Sequence, residues 1–276
     1  VAVTRKQIRQ DVLTELGDGF VATATDAGTT TQFVDSNTLV LPTSEYRGRT
    51  IWFSGGTMAN LEASRKINGS SGSSVQWGVA LPAPTAPGDQ AEFWNYRGTG
   101  WEPQEVNRLI QIAHRDAQEH LPIADVSDEK AWSASVGSLA IPDHIIAVTG
   151  VQYYDLHQNT WRNIDRATRP ASPGYWVEKH DRTITINGRL RFALDTYAVR
   201  IRGYAREEEL TADDKTTQVN REYLVARVCE LACAALLLRT EDPGLVRDKW
   251  QFYQREAGFK RTLAVPRRAT NVDRVD

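Results

Sequence analysis

The run from Gln218 to Leu238 is the longest apolar-periodic segment of the chain, and it constrains the fold more than any other stretch. Tyr223, Leu224, Val228, Leu231, Ala232, Ala235 and Leu238 recur at three- and four-residue spacing, with Arg221, Glu222, Arg227 and Glu230 between them. Four charges inside about twenty residues would be costly in a bilayer, so the run reads as a packed helix and no membrane contact is expected. Such a helix needs a partner, and one follows at once. Glu241-Asp242-Pro243 ends the first helix and starts a second, with Asp242 suited to the N-cap and Pro243 to the first helical position. Val246, Trp250, Tyr253 and Ala257 then share a face, Phe252 lies off it, and Gly258 is the expected stop. The pair predicts an antiparallel helical hairpin.

The whole chain, at 276 residues, has room for one large domain or two modest ones. Its 33 basic and 35 acidic residues leave a formal charge of -2, so no global field attracts nucleic acid or membrane. Cys229 and Cys233 sit on the stripe of the organising helix. A disulfide at that helical spacing is strained, so they read as small core residues in a reducing cytosol. They could hold half a metal site, but no His or Cys pair of suitable spacing lies elsewhere, so no metal and no cofactor is expected. The polar N-terminus lacks an apolar central run and predicts no export signal. Eight tryptophans and nine tyrosines serve cores and permanent interfaces equally well.

Read in order, the chain divides into an N-terminal helix (1–17), a β module (18–100), a linking helix (101–122), a second β domain (123–210), the helical hairpin (211–262) and an extended tail (263–276). Thr4-Arg5-Lys6-Gln7 has the form of a capping box, and Ile8, Val12, Leu13 and Leu16 continue it to Gly17. Candidate strands of the first module are Thr31 to Val34, Thr50 to Phe53, Ser64 to Ile67, Ser74 to Trp77 and Gln90 to Trp94, with Asn68 to Ser74 as a mobile hairpin tip. Pro103 opens the linking helix, Val106, Leu109, Ile110, Ala113, Ala117 and Leu121 share its apolar face, and Pro122 closes it. Ala124 to Gly137 is polar without a period and reads as a connecting loop. Strands follow at Ile145 to Tyr154, Thr160 to Ile164, Tyr175 to Glu178, Thr183 to Ile186 and Ala198 to Tyr204, with turns at Asp155 to Asn159 and Asn187-Gly188. Asp213-Asp214 read as acidic residues complementing the dipole of the organising helix. The tail from Val265 to Asp276 is expected to be disordered unless a partner orders it. The fold class is therefore α+β: two small antiparallel β modules, sandwich- or barrel-like, joined to a helical bundle of N-terminal helix, linking helix and hairpin.

The chemistry-bearing residues form no catalytic pattern. His114, His120, His144, His157 and His180 never fall in a metal or relay spacing, and the nucleotide-loop and nucleophile-elbow signatures are absent. A carboxylate pair assembled by the fold would allow glycoside chemistry, but no sequence feature supports one, so no enzymatic activity is expected. Basic residues cluster locally: Arg162, Arg166 and Arg169 near Trp161, and Arg189, Arg191, Arg200 and Arg202. Arg200 and Arg202 alternate with Val199 and Ile201, as on the solvent face of a strand, while the same residues ringed around a pore could guide DNA without reading its sequence.

The order of the second half is a helix, an Ile141-Pro142 entry into a β-meander, a strand ending in Gly203-Tyr204, an acidic stretch into Leu210-Thr211, and a helical pair. It resembles head-to-tail adaptor (connector) proteins of tailed bacteriophages, of the tail tubular protein A type that pairs a helical bundle with a β domain. The first module is similar to small β modules of phage virion proteins through Phe33-Val34-Asp35, Tyr46-Arg47-Gly48 followed by Ile51-Trp52-Phe53, and Ala86-Pro87-Gly88-Asp89. That module is an addition to the minimal adaptor. The resemblance implies a structural protein of the virion, located at the head-tail junction and assembled in the host cytoplasm. It implies a homo-oligomeric ring, usually twelve-fold, beneath the portal protein, meeting tail or neck proteins and touching DNA non-specifically in its channel. Phe252, Arg267, Arg268 and Val272 are then the candidate portal contacts, and Arg162, Arg166, Arg200 and Arg202 the candidate channel-facing residues. A peripheral tail or baseplate protein is the near alternative. A carbohydrate-binding or carbohydrate-acting β-module protein is the distant one.

Overall fold

The computed structural model describes residues 2–39, 43–95, 100–120, 124–132, 137–170, 172–187, 198–239, 244–264 and 273–274. The chain is mixed α+β, and it divides into two compact units, Val1–Ala117 with Glu209–Ala264, and Gln118–Glu208 with Val265–Asp276.

The first unit opens with β1 (Val3–Thr4) and α1 (Arg5–Leu16). It continues through β2 (Phe20–Thr23), β3 (Asp26–Thr29), β4 (Gln32–Val34), β5 (Thr50–Gly55), β6 (Ser64–Lys66), β7 (Gly69–Ser71), β8 (Ser74–Gln76) and β9 (Gln90–Trp94) into α2 (Pro103–His120). The second carries β10 (Ala124–Ala131), β11 (Ser138–Ala140), β12 (Ile145–Asp155), β13 (Thr160–Ile164), β14 (Gly174–Glu178), β15 (Thr183–Asn187) and β16 (Ala198–Ala205). The chain then returns to the first unit through β17 (Thr216–Thr217), α3 (Arg221–Leu237) and α4 (Gly244–Ala264), and β18 (Asp273–Arg274) belongs to the second.

Local chemistry sets several boundaries. The Thr4 side chain accepts from the Gln7 N–H at 3.1 Å and the Gln7 side chain accepts from the Thr4 N–H at 3.0 Å, so the capping box closes. Gly17, in the left-handed region at φ 65°, ends α1. Thr4→Ala should cost about 1 kcal/mol of unfolding free energy in urea titration, the usual loss for a helix N-cap. An unchanged midpoint would show that packing alone holds the helix.

In the first unit two four-stranded antiparallel sheets, ordered β2-β9-β5-β6 and β3-β4-β8-β7, share one core. Phe93 is at its centre, stacked on Phe20 at 4.8 Å and meeting Phe33 and Tyr46 edge-on at 6.0 and 6.2 Å. In the second unit the sheet β10-β16-β12-β13, with β18 pairing β12, faces the sheet β11-β15-β14 across a core of Val148, Val151, Ile184, Ile186, Val199 and Ile201. Both arrangements are sandwiches.

Several expectations need correction. Ala124–Ala131 is a strand, paired along its length with β16. Its polar sequence hides it because the neighbour's backbone, and not side-chain patterning, supplies its order. Gly69–Ser71 is a strand as well, and the hairpin tip shrinks to Gly72-Ser73, where Gly72 takes φ 55°. β2 and β3 were not expected, their runs being short and broken by Thr and Gly. α4 passes through Gly258 to Ala264, since a glycine costs a packed helix only about 1 kcal/mol. α3 starts at Arg221 on an Asn220 cap, so Asp213 lies seven residues before that cap and does not serve the helix dipole. Leu238 follows the last residue of α3 and is 90 % exposed instead of lying in the apolar stripe. Within the tail, Asp273–Arg274 adds to β12 as a short strand. Leu121, Pro122, Gly188, Arg189, Arg191, Asp242 and Pro243 lie outside the described residues.

A buried charge cluster ties the first unit together. The Arg9 guanidinium, fully buried, donates to both Glu92 oxygens at 2.7 and 2.8 Å, to both Asp213 oxygens at 2.5 and 2.6 Å, and to Asn107 Oδ1 at 2.9 Å. All five of its N–H groups are used. Arg5 donates to Asp213 at 3.0 Å, to Glu62 at 2.8 Å and to the Thr211 carbonyl. Helix α1, strand β9, helix α2 and the segment before β17 thus meet at one guanidinium.

Candidate interaction surface

Within the first unit α3 packs against both α1 and α4. Cys229 and Cys233 face inward from α3 as free thiols. Burial pushes the Cys229 thiol well above its ordinary value and the Cys233 thiol up to about 11, so both stay protonated core residues at neutral pH. From α4, Tyr253 and Ala257 are buried, and the Tyr253 hydroxyl donates to the Glu15 carbonyl at 3.1 Å. Burial drives that phenol upward, so it holds its proton and the bond.

Where α1, α3 and α4 converge, a groove of about 450 Å³ opens. Val225, Ala226, Phe252 and Tyr253 give it an apolar floor, and Asp11, Glu15, Glu222 and Glu256 against Arg221 and Lys260 leave its wall with more acids than bases. Arg221 grips Asp11 at 2.5 and 2.6 Å, and Lys260 holds Glu256 at 3.4 Å.

The flank of α4 beside that groove is apolar too, with Phe252 belonging to both. Leu245, Phe252 and Phe259 are 83 %, 56 % and 60 % exposed and follow one another at intervals of seven residues. They form a stripe about a third of a turn from the buried Tyr253–Ala257 face. The helix therefore carries a second, largely exposed apolar row beside its packed one. Phe252 therefore stands where the sequence placed it, off the packed face. Leu245 and Phe259 were missed, although their spacing is visible, because the Val246, Trp250, Tyr253 and Ala257 face accounts for a hairpin by itself. Arg267, Arg268 and Val272 lie outside the described residues.

The four candidate arginines all lie in the second unit. Arg162 pairs with Asp155 at 2.8 Å; Arg200 pairs with Glu129 and lies 3.9 Å over the Trp161 ring, which Tyr154 meets edge-on at 5.3 Å. Arg166 and Arg202 are exposed and line one polar cavity of about 470 Å³ with Asn163, Tyr175 and Tyr204. Val199 and Ile201 are fully buried, so Arg200 and Arg202 occupy the outer face of β16. One face of the Trp161 ring is thus covered by the chain's own arginine.

No described helix is long and apolar enough to cross a membrane. Compared with known proteins, the chain matches no protein-family model and no curated protein.

Proposed function

We propose that this protein is a structural component of a tailed-phage virion, a head-to-tail adaptor that forms a ring under the portal protein, extends the DNA channel and docks the tail. The observation that carries the reading is the exposed Leu245-Phe252-Phe259 stripe of α4. An apolar helix face left in solvent beside a well-packed one suits a subunit that completes itself against neighbours. In this reading α1, α2, α3 and α4 act as the bundle through which subunits and portal meet. The α2 to α3 ion pair Arg227–Asp116 at 2.7 Å and the tie from Arg239 to Glu105 on α2, also at 2.7 Å, support such a bundle. The β units serve as scaffold and channel wall. Arg162, Arg166, Arg200 and Arg202 are the residues proposed to meet DNA, Arg166 and Arg202 beside one polar cavity and Arg162 and Arg200 also paired with carboxylates. Such contacts follow phosphate charge and carry no sequence preference. The protein performs no reaction here.

The test is the mass of the purified protein mixed with its cognate portal. A stoichiometric ring on the portal supports the adaptor. A protein that ignores the portal and is retained on an oligosaccharide column sinks it in favour of a carbohydrate-binding role.

A further inference from the structure

We infer that the polar cavity at the bulge of β12, walled by Arg166 and Arg202, is a binding site for a phosphate monoester of a hydroxyl-bearing small molecule, of the sugar-phosphate or nucleotide class. The inference goes beyond the adaptor reading and stands without it.

The cavity is made by a break in the strand ladder. β16 occupies one edge of β12, so β13 and β18 share the other, β13 pairing from Val151 onward and β18 at Ala147 and Val148. Thr149 and Gly150 fall in the gap between them. On the β16 side the register slips between Val148 and Gly150, which leaves Thr149 without a ladder partner on either edge among the described residues. Bulges of this kind end pairing and re-aim side chains, and they are over-represented next to active sites. Here the gap lines the cavity of about 470 Å³, a volume in the range of small-molecule sites. Gly150 keeps it open, since a Cβ there would meet nothing within 4 Å.

The lining selects the ligand. Arg202 from β16 and Arg166 from the segment after β13 share the wall with Asn163 and Tyr204, and Asp165 is the one acid among the described lining residues. Both arginines also have interactions within the chain. A guanidinium presents several N–H donors in a planar fork, so it can hold a group of its own chain and an oxyanion together. A phosphate monoester brings a charge of about −1.5 to −2 at neutral pH and strong acceptor oxygens, which suit two such forks. Asn163 accepts from Gln152 Nε2 at 2.7 Å through its carbonyl oxygen, so its amide NH₂ is left to donate. The Asp165 carboxylate would oppose a bare anion but accepts from a hydroxyl, so phosphate joined to a hydroxylated body fits this wall better than phosphate alone. The volume agrees, exceeding what one phosphate group fills. A DNA duplex carries the same group, but as singly charged diesters on a convex surface, and is the less suited source of it.

The experiment is calorimetric titration of the full chain with ribose 5-phosphate, with ribose, inorganic phosphate and a short DNA duplex as separate arms. Saturable binding of the ester at one site per chain is expected, and none of ribose. Arg166→Gln and Arg202→Gln should each weaken it about tenfold, the factor for losing a hydrogen bond to a charged group. Both side chains are exposed, so these variants test the site without disturbing the core. Gly150→Glu, which sets bulk and a like charge in the open space, should abolish binding. Absence of saturable heat, or an affinity unchanged in both arginine variants, would overturn the inference. Inorganic phosphate bound as tightly as the ester would reduce the site to an adventitious ion only. Binding of the duplex without the ester would overturn it as well, and would leave the DNA contacts of the adaptor reading standing.

Discussion

Arg9→Met should destabilise the first unit by about 3–5 kcal/mol, the loss typical of breaking a buried ion pair by removing one partner. For a unit of this size that lowers the melting temperature by roughly 10 °C. The size of the effect comes from what stays behind. Glu92 is fully buried and Asp213 is largely so, and without the guanidinium two carboxylates face each other with their compensating charge gone. Trp94 Nε1 still donates to Glu92 at 3.1 Å and Arg5 still reaches Asp213, but neither spans both acids. Arg9→Lys should recover little, because one ammonium cannot reproduce a fork that bonds five acceptor positions at once. Removing Arg115, whose pairing with Glu209 is exposed on both sides, should be barely measurable by comparison. Guanidinium denaturation followed by tryptophan fluorescence reads all three variants. A loss below about 1 kcal/mol for Arg9→Met would show that the cluster is incidental to stability.

The same cluster sets an acid limit. Burial works to raise the Asp213 carboxyl, but the Arg9 hydrogen bonds and charge, reinforced by Arg5, outweigh it and hold the group below its ordinary value. A carboxyl depressed in the folded state stabilises it fully above the unfolded value, and that contribution is lost as pH falls through the lower folded value. The first unit should therefore keep its stability through neutral and mildly acidic pH and lose it only once the pH drops below the ordinary carboxylate range.

What the sequence made legible was whatever local chemistry encodes. The capping box at Thr4 and Gln7, the Gly17 stop, Pro103 at the head of α2 and the alternation around Val199 and Ile201 each act within a few residues, so spacing alone reveals them. The Arg9 cluster was invisible for the opposite reason. Its partners Glu92, Asn107 and Asp213 lie 83, 98 and 204 residues away, and an arginine next to Ile8 on an amphipathic helix reads as solvent-facing. β10 escaped because its order is borrowed from β16. The α4 stripe was half legible: Phe252 showed itself as the aromatic off the packed face, and only exposure at Leu245 and Phe259 turned one residue into a surface.

Gly203→Val should unfold the second unit while leaving the first standing. β16 is an inner strand, with Gly203 opposite Val126 on β10 and Val148 on β12. Beside it β12 slips register twice, between Ile145 and Ala147 and between Val148 and Gly150. A Cβ built on Gly203 would lie 2.4 Å from the Ala147 carbonyl oxygen and 2.6 Å from Ile145 Cγ2. The first of these is backbone held in the same ladder, so it cannot turn aside as a flexible side chain would. Relief requires moving β12 off β16, and with it the buried Val148 and Val151 that hold the two sheets together. Overpacking of that kind costs about 3 kcal/mol or more, and the branched valine should exceed alanine at the same position. Gly150 is the matched control: a Cβ there meets nothing within 4 Å, so Gly150→Ala should be close to neutral. Hydrogen exchange distinguishes the units directly. In Gly203→Val the amides of β10, β12 and β16 should lose protection while those of β5 and β9 keep it, since each unit has its own core. Equal loss in both sets would mean that the two units unfold as one, and retained protection in β16 would mean that the bulge in β12 can yield after all.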